Sequence, residues 1–248
     1  MAETADAPPH HESDGTLKHG KETMARFSRL KVCMTMAETG LVPVFYSPDL
    51  ETAKQVAKAC ADGGCGLLEF TNRGDHAWEI FSALERHCAR ELPTLILGVG
   101  SVVDPETAAL YINCGANFVV GPILNAEAAK ACNRRKIPYM PGCGSASEIS
   151  QAEELGCEIV KIFPGDKVGG PGFVKAVRGP CPWTSLMPTG GVENTEESLR
   201  AWFDAGVACV GMGSNLITQD LLKSGNFSGI AQRVRKTLEV IRTVRGRH

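Results

Sequence analysis

Residues 158–166 read EIVKIFPGD. The apolar residues Ile159, Val160, Ile162 and Phe163 enclose one lysine, Lys161, and Pro164-Gly165 ends the run. A short, continuous, apolar run of this kind reads as a strand of a parallel sheet covered on both faces. The same pattern recurs outward from it. VPVFY (42–46), GLLEFT (66–71), TLILGV (94–99), NFVVG (117–121) and IPYMP (137–141) precede it, and TSLMPT (184–189) and ACVGMG (208–213) follow. Amphipathic stretches lie between them, five of the seven opened by a helix start signal: Ser47-Pro48, Asp104-Pro105, Asn125, Ser145 and Asn194. Eight strand–helix units in about 200 residues predict an α/β fold, a (β/α)8 TIM barrel, with active-site groups at the C-terminal strand ends. An extra helix is expected over 22–38, ahead of the first strand, and a long last helix over 227–245. A doubly wound open sheet is the alternative, but no G-x-G-x-x-G follows the first run.

Bulk composition narrows the function. Lys+Arg number 26 against Asp+Glu 28, a net charge of -2, which argues against nucleic-acid and membrane-surface binding. No apolar run approaches the ~18 residues of a membrane span. The first 22 residues are polar and carry no apolar core of a secretory signal. They are expected to form a disordered tail, with residues 23–248 making one domain. The ten cysteines are dispersed, with no C-x-x-C pair and no Cys/His ligand spacing. They read as buried core thiols in a reducing cytoplasm, not as a metal site.

Strand parity locates the chemistry, since alternate residues face opposite sides. Ile159, Lys161 and Phe163 share one face, and Leu67, Glu69 and Thr71 share one face of the second strand, with Arg73 just beyond. Lys161 among helix-facing residues would be buried without a partner, so the barrel interior is its expected place. There Lys161 and Glu69 form either a structural ion pair or an amine nucleophile with a nearby carboxylate. An apolar wall of Phe163 and Pro164 lowers an amine pKa from ~10.4 toward ~7–8, and the neutral amine attacks a ketone to form a Schiff base.

The loops after the seventh and eighth strands, PTGGVEN (188–194) and GMGSN (211–215), suit a phosphate. Gly190, Gly191 and Gly213 allow close approach of backbone N–H groups, Thr189 and Ser214 add hydroxyls, and helix N-termini add a favourable dipole. Tight turns that merely need glycine are the alternative. LGVGSV (97–102) ends the third strand similarly, and Ser101 there binds a carboxylate or caps the next helix. The segment GDKVGGPG (165–172) is expected to form a flexible lip from which Lys167 reaches an anion. Trp78, Trp183 and Trp202 are expected in core or interface packing, and His76 and His87 on a helix surface.

From about residue 24 to 220 the chain resembles the 2-keto-3-deoxy-6-phosphogluconate (KDPG) and 4-hydroxy-2-oxoglutarate (KHG) aldolases. The motifs carrying the resemblance are LVPVF, GLLEFTNR, GVGSV, VVGP, IPYMPG, VKIFPG, MPTGGV and GMGSNL. It implies a class I aldolase, a lyase that cleaves a 2-keto-3-deoxy acid phosphate to pyruvate and glyceraldehyde 3-phosphate without metal or cofactor. It implies Lys161 as the Schiff-base lysine and Glu69 as general acid and base. Arg73, Ser101 and Thr189 would hold the pyruvate carboxylate, and Pro122 and Phe163 would line the pocket. Gly190, Gly191, Gly213 and Ser214 would hold the phosphate. It also implies a homotrimer. The chain departs from the family at Ser101, where threonine is usual, at Gly165, and at Met212 and Asn215, where GGSW is usual. Two other readings remain open: a phosphosugar isomerase or epimerase using Glu69 as base, and a non-catalytic phosphosugar-binding barrel.

Overall fold

The computed structural model describes residues 25–246, so the tail expected over residues 1–22 lies outside the described residues. The strands are β1 Leu41–Phe45, β2 Leu67–Thr71, β3 Ile96–Gly100, β4 Val119–Val120, β5 Tyr139–Met140, β6 Gly142–Cys143, β7 Val160–Ile162, β8 Leu186–Pro188 and β9 Val210–Met212. The helices are α1 Arg29–Thr39, α2 Leu50–Asp62, α3 Ala77–Glu91, α4 Pro105–Asn113, α5 Ala126–Arg135, α6 Ala146–Glu154, α7 Gly170–Arg178, α8 Glu196–Asp204, α9 Gln219–Lys223 and α10 Phe227–Val244. All strand pairs are parallel. They form a six-stranded sheet in the order β5-β4-β3-β2-β1-β9 and a three-stranded sheet β6-β7-β8. The fold is therefore α/β, with strand–helix alternation throughout. An isolated bridge between Thr189 and Gly211 joins the β8 end to β9.

The fifth apolar run, expected as one strand over 137–141, is two. Pro141 has no N–H for a ladder. Pairing with β4 stops at Met140, and the Pro141 carbonyl instead accepts from Lys161 N–H at 3.0 Å. One proline thus hands the chain from one sheet to the other.

Side-chain competition moves several helix starts. The expected Ser47 cap gives way to Asp49, whose carboxylate accepts from Thr52 N–H at 2.7 Å, while Ser47 Oγ accepts from Asp49 N–H. The carboxamide of Asn194 accepts from Thr237 Oγ1, so the cap of α8 passes to Thr195. Asp104, Asn125 and Ser145 cap as expected. The helix expected from residue 22 begins only at Arg29, capped by Ser28. Ahead of it, Arg26 pairs with Glu85 at 2.7 Å and donates to Leu95 O at 3.0 Å. The lip expected over 165–172 is a compact turn: Lys167 and Val168 N–H both donate to Pro164 O, and α7 starts at Gly170. Lys167 pairs with Asp166 at 2.8 Å.

A continuous apolar core runs between sheets and helices, from Val32 on α1 to Ile241 on α10. Trp202 belongs to it, whereas Trp78 and Trp183 are exposed and lie outside the core. Among the described residues no helix is long and apolar enough to cross a membrane.

Candidate active site

The C-terminal ends of β1, β2, β7, β8 and β9 surround a cavity of about 390 Å³. Tyr46, Thr71, Arg73, Phe163 and Thr189 line it together with Gly190, Gly191, Gly213, Ser214 and Asn215.

Lys161 and Glu69 lie deep in the fold beneath this mouth, 5% and 1% exposed. Lys161 is the central residue of β7, held in register between Gly142 and Met187. Its Nζ sits 4.7 Å from the centroid of the Phe163 ring. None of the ion pairs among the described residues includes Lys161 or Glu69. A close structural Lys161–Glu69 pair is therefore not what buries them. Glu69 Oε2 and Thr189 Oγ1 are buried without a hydrogen-bond partner. Buried polar groups are normally satisfied, so such exceptions point to a missing partner.

Glycines in β3 make the room. A side chain at Gly98 would run into the Phe118 ring, and one at Gly100 into the Glu69 carboxylate. The G-x-G of LGVG thus admits a ring and a carboxylate where a branched residue would exclude both. Thr189 likewise packs its hydroxyl against Gly211.

Burial dominates the electrostatics. It pushes the Lys161 amine below its ordinary value of 10.5; the Glu69 charge opposes this and Arg73 adds to it. Burial pushes the Glu69 carboxyl up, against the pull of Lys161 and Arg73. Both groups are thereby moved toward their neutral forms, which a low-dielectric site favours. The result is an amine that gives up its proton more readily and a carboxyl that holds its proton more tightly than either does in water.

The expected residues converge unequally. Arg73, Phe163, Thr189, Gly190, Gly191, Gly213 and Ser214 line the cavity directly. Ser101 reaches it through Arg73, whose Nε lies 3.3 Å from Ser101 Oγ; its backbone takes a left-handed φ of 61°. Pro122 is not part of the lining. It lies past β4, its carbonyl packed where Gly142 leaves space. His76 is exposed, faces Glu79 at 3.0 Å and is not part of the cavity lining. Tyr46 and Gln219 also line the cavity and were not anticipated. The position of Tyr46 at the C-terminal end of the first apolar run was the available signal, because site residues gather at strand ends.

The family described as KDPG and KHG aldolase matches residues 32–233. The KHG/KDPG aldolase of Escherichia coli strain K12 is 33% identical over 201 residues, spanning 80% of this chain and 91% of that protein. The 2-dehydro-3-deoxy-phosphogluconate aldolase of Dickeya dadantii is 34% identical over 202 residues, 80% of this chain and 90% of its own. Among solved structures, KDPG aldolase from Legionella pneumophila, with pyruvate captured as a covalent carbinolamine intermediate, superposes with a TM-score of 0.76. It is 29% identical and the match covers 83% of this chain and 97% of that one. With the family match extending over most of the chain and the cavity above a buried lysine and carboxylate, the chain belongs to the KDPG/KHG aldolase family.

Proposed function

We propose that this chain cleaves 2-keto-3-deoxy-6-phosphogluconate reversibly to pyruvate and glyceraldehyde 3-phosphate, with Lys161 as nucleophile and Glu69 as proton shuttle. The observation that carries this is a nearly dry lysine, 5% exposed, whose amine burial pushes down, in the interior with an equally dry carboxyl. The neutral amine attacks the C2 ketone and forms a carbinolamine. Loss of water, with a proton delivered by Glu69, gives the iminium. The C4 hydroxyl then loses its proton, the C3–C4 bond breaks, and its electron pair passes into the iminium to leave an enamine and the free aldehyde. Protonation at C3 and hydrolysis of the imine release pyruvate and restore the amine.

Arg73, set by Ser101, takes the carboxylate at one end with Thr189, and Phe163 forms the apolar wall over the amine. Gly190, Gly191, Gly213 and Ser214 take the phosphate at the other end, through backbone N–H groups and a hydroxyl.

The same reading makes residues 23–248 one domain and joins the two sheets as a single eight-stranded barrel. The unbroken core, the passage of β5 into β6 through Pro141 and the Thr189–Gly211 bridge support it. A homotrimer is supported by apolar side chains left exposed on consecutive units: Trp78, Val103, Leu110 and Ile123. A reducing cytoplasm fits the ten unpaired thiols.

Incubation with pyruvate and borohydride, then digestion and mass spectrometry, tests the central step. A reduced pyruvyl adduct is expected on Lys161. Folded protein that gives no adduct across a range of pH would leave the imine mechanism untenable.

A further inference from the structure

The two glycine loops of the cavity are held from behind by one helix. The turn after β9 closes on itself, with Leu216 and Ile217 N–H donating to Gly213 O at 2.8 and 2.9 Å. Its last carbonyls are left without partners inside the turn, as at any helical end. Arg233 of α10 takes both: Nη2 donates to Asn215 O at 2.7 Å and Nε to Leu216 O at 3.2 Å. One turn further along α10, the buried Thr237 Oγ1 lies at hydrogen-bond distance, 2.7 Å, from both Asn194 Oδ1 in the loop after β8 and Arg233 O of its own helix. Asn215 Nδ2 donates to Val192 O at 2.9 Å and ties the two loops together.

We propose that Arg233, assisted by Thr237, is a positioning residue for the anion end of the cavity: its guanidinium fork sets the two glycine loops in register so that their N–H groups converge on one anion. This rests on the phosphate reading given above. The geometry favours arginine specifically. A planar fork holds two adjacent carbonyls in one plane, whereas an ammonium on a flexible stem does not impose a plane. Neither residue lines the cavity, so both act through Asn215, Leu216 and Asn194. The pyruvate end is built from β2, β7 and Ser101 after β3, with Thr189 at the root of the β8 loop, and none of these bonds involves Thr189, Arg73 or Lys161.

That separation makes the role testable. Arg233→Met keeps the apolar stem and loses the fork. Its KM for the phosphorylated substrate and its inhibition constant for inorganic phosphate are expected to rise about tenfold, with kcat changing less. Borohydride trapping of pyruvate on Lys161 is expected to stay near the wild-type rate. Arg233→Lys should recover only part of the loss. Thr237→Val, nearly isosteric, should raise the same constants about threefold and guards against a folding failure at 233. Unchanged phosphate inhibition in folded variants would overturn the proposal. So would a parallel fall in pyruvate trapping, which would mark a general structural role. Wild-type protein insensitive to phosphate would instead remove the anion site itself, and the bracing role with it.

Discussion

Lys161 and Glu69 are each pushed toward neutrality by burial and pulled back by the other's charge. This gives the pH dependence a sign. Only the neutral amine attacks, so imine trapping rises with pH through the Lys161 pKa and levels off, with a midpoint below 10.5. Where Glu69 is ionised it helps Lys161 keep its proton. Glu69→Gln removes that hold, so the trapping profile is expected to move to lower pH. Cleavage of the full substrate should meanwhile fall by about 10²–10⁴-fold, the scale of lost acid–base catalysis. A profile measured on the variant that stays in place would separate the two groups electrostatically. Lys161→Met should abolish both trapping and cleavage, as steady-state assays and mass spectrometry of the borohydride-treated variant would register.

At the scale of elements, β3 and the helix caps carry the sharpest expectations. Gly100→Ala places a methyl group against the Glu69 carboxylate. It is expected to lower kcat by about 10²-fold and to destabilise by about 1–3 kcal/mol through overpacking. Gly66, before β2, is a control: a methyl group there meets only Thr94 O at 3.9 Å. Gly66→Ala should leave kcat unchanged, and urea unfolding with paired assays distinguishes the two. The Asp104 cap of α4 accepts from Thr107 N–H at 2.6 Å. Asp104→Ala is expected to cost about 1 kcal/mol in urea unfolding, with little effect on turnover.

For the whole molecule, seven large apolar side chains stand exposed among the described residues, and four of them fall on three successive units. Trp78 is 42%, Val103 47%, Leu110 41% and Ile123 54% exposed. Asn125 Nδ2 bonds Val103 O at 3.0 Å and fixes two of their loops together. Such a surface is costly to leave in water. A trimer of 26.5 kDa chains would weigh about 80 kDa by light scattering. Ile123→Asp is expected to reduce that mass toward a single chain, since a charge buried without a partner opposes association. A mass that does not change would place the interface elsewhere.

The strand runs, the alternation with helices and the candidate lysine, glutamate and arginine were legible in the sequence. Local rules govern them: a buried parallel strand is a short apolar run, and a charge inside one stands out. Three of the five anticipated caps were legible for the same reason. What sequence reading missed came from partners distant in the chain. Asn194 is drawn from its capping role by Thr237, and Arg26 is held by Glu85 and Leu95. The splitting of the fifth strand at Pro141 depended on which neighbour claimed its carbonyl. Pro122 falls outside the cavity lining and Tyr46 falls within it because loop paths decide lining, and loops obey no short period. The bracing of both glycine loops by α10 joins residues 215 and 233 and residues 194 and 237, pairings that no local pattern encodes. The sequence by itself determined the α/β strand–helix alternation and singled out the candidate chemistry-bearing side chains, because hydrophobic periodicity and side-chain type are local properties. Only the tertiary structure decided which groups are dry, which are paired and which face the cavity, because burial and hydrogen-bond partners exist only once distant segments have packed together.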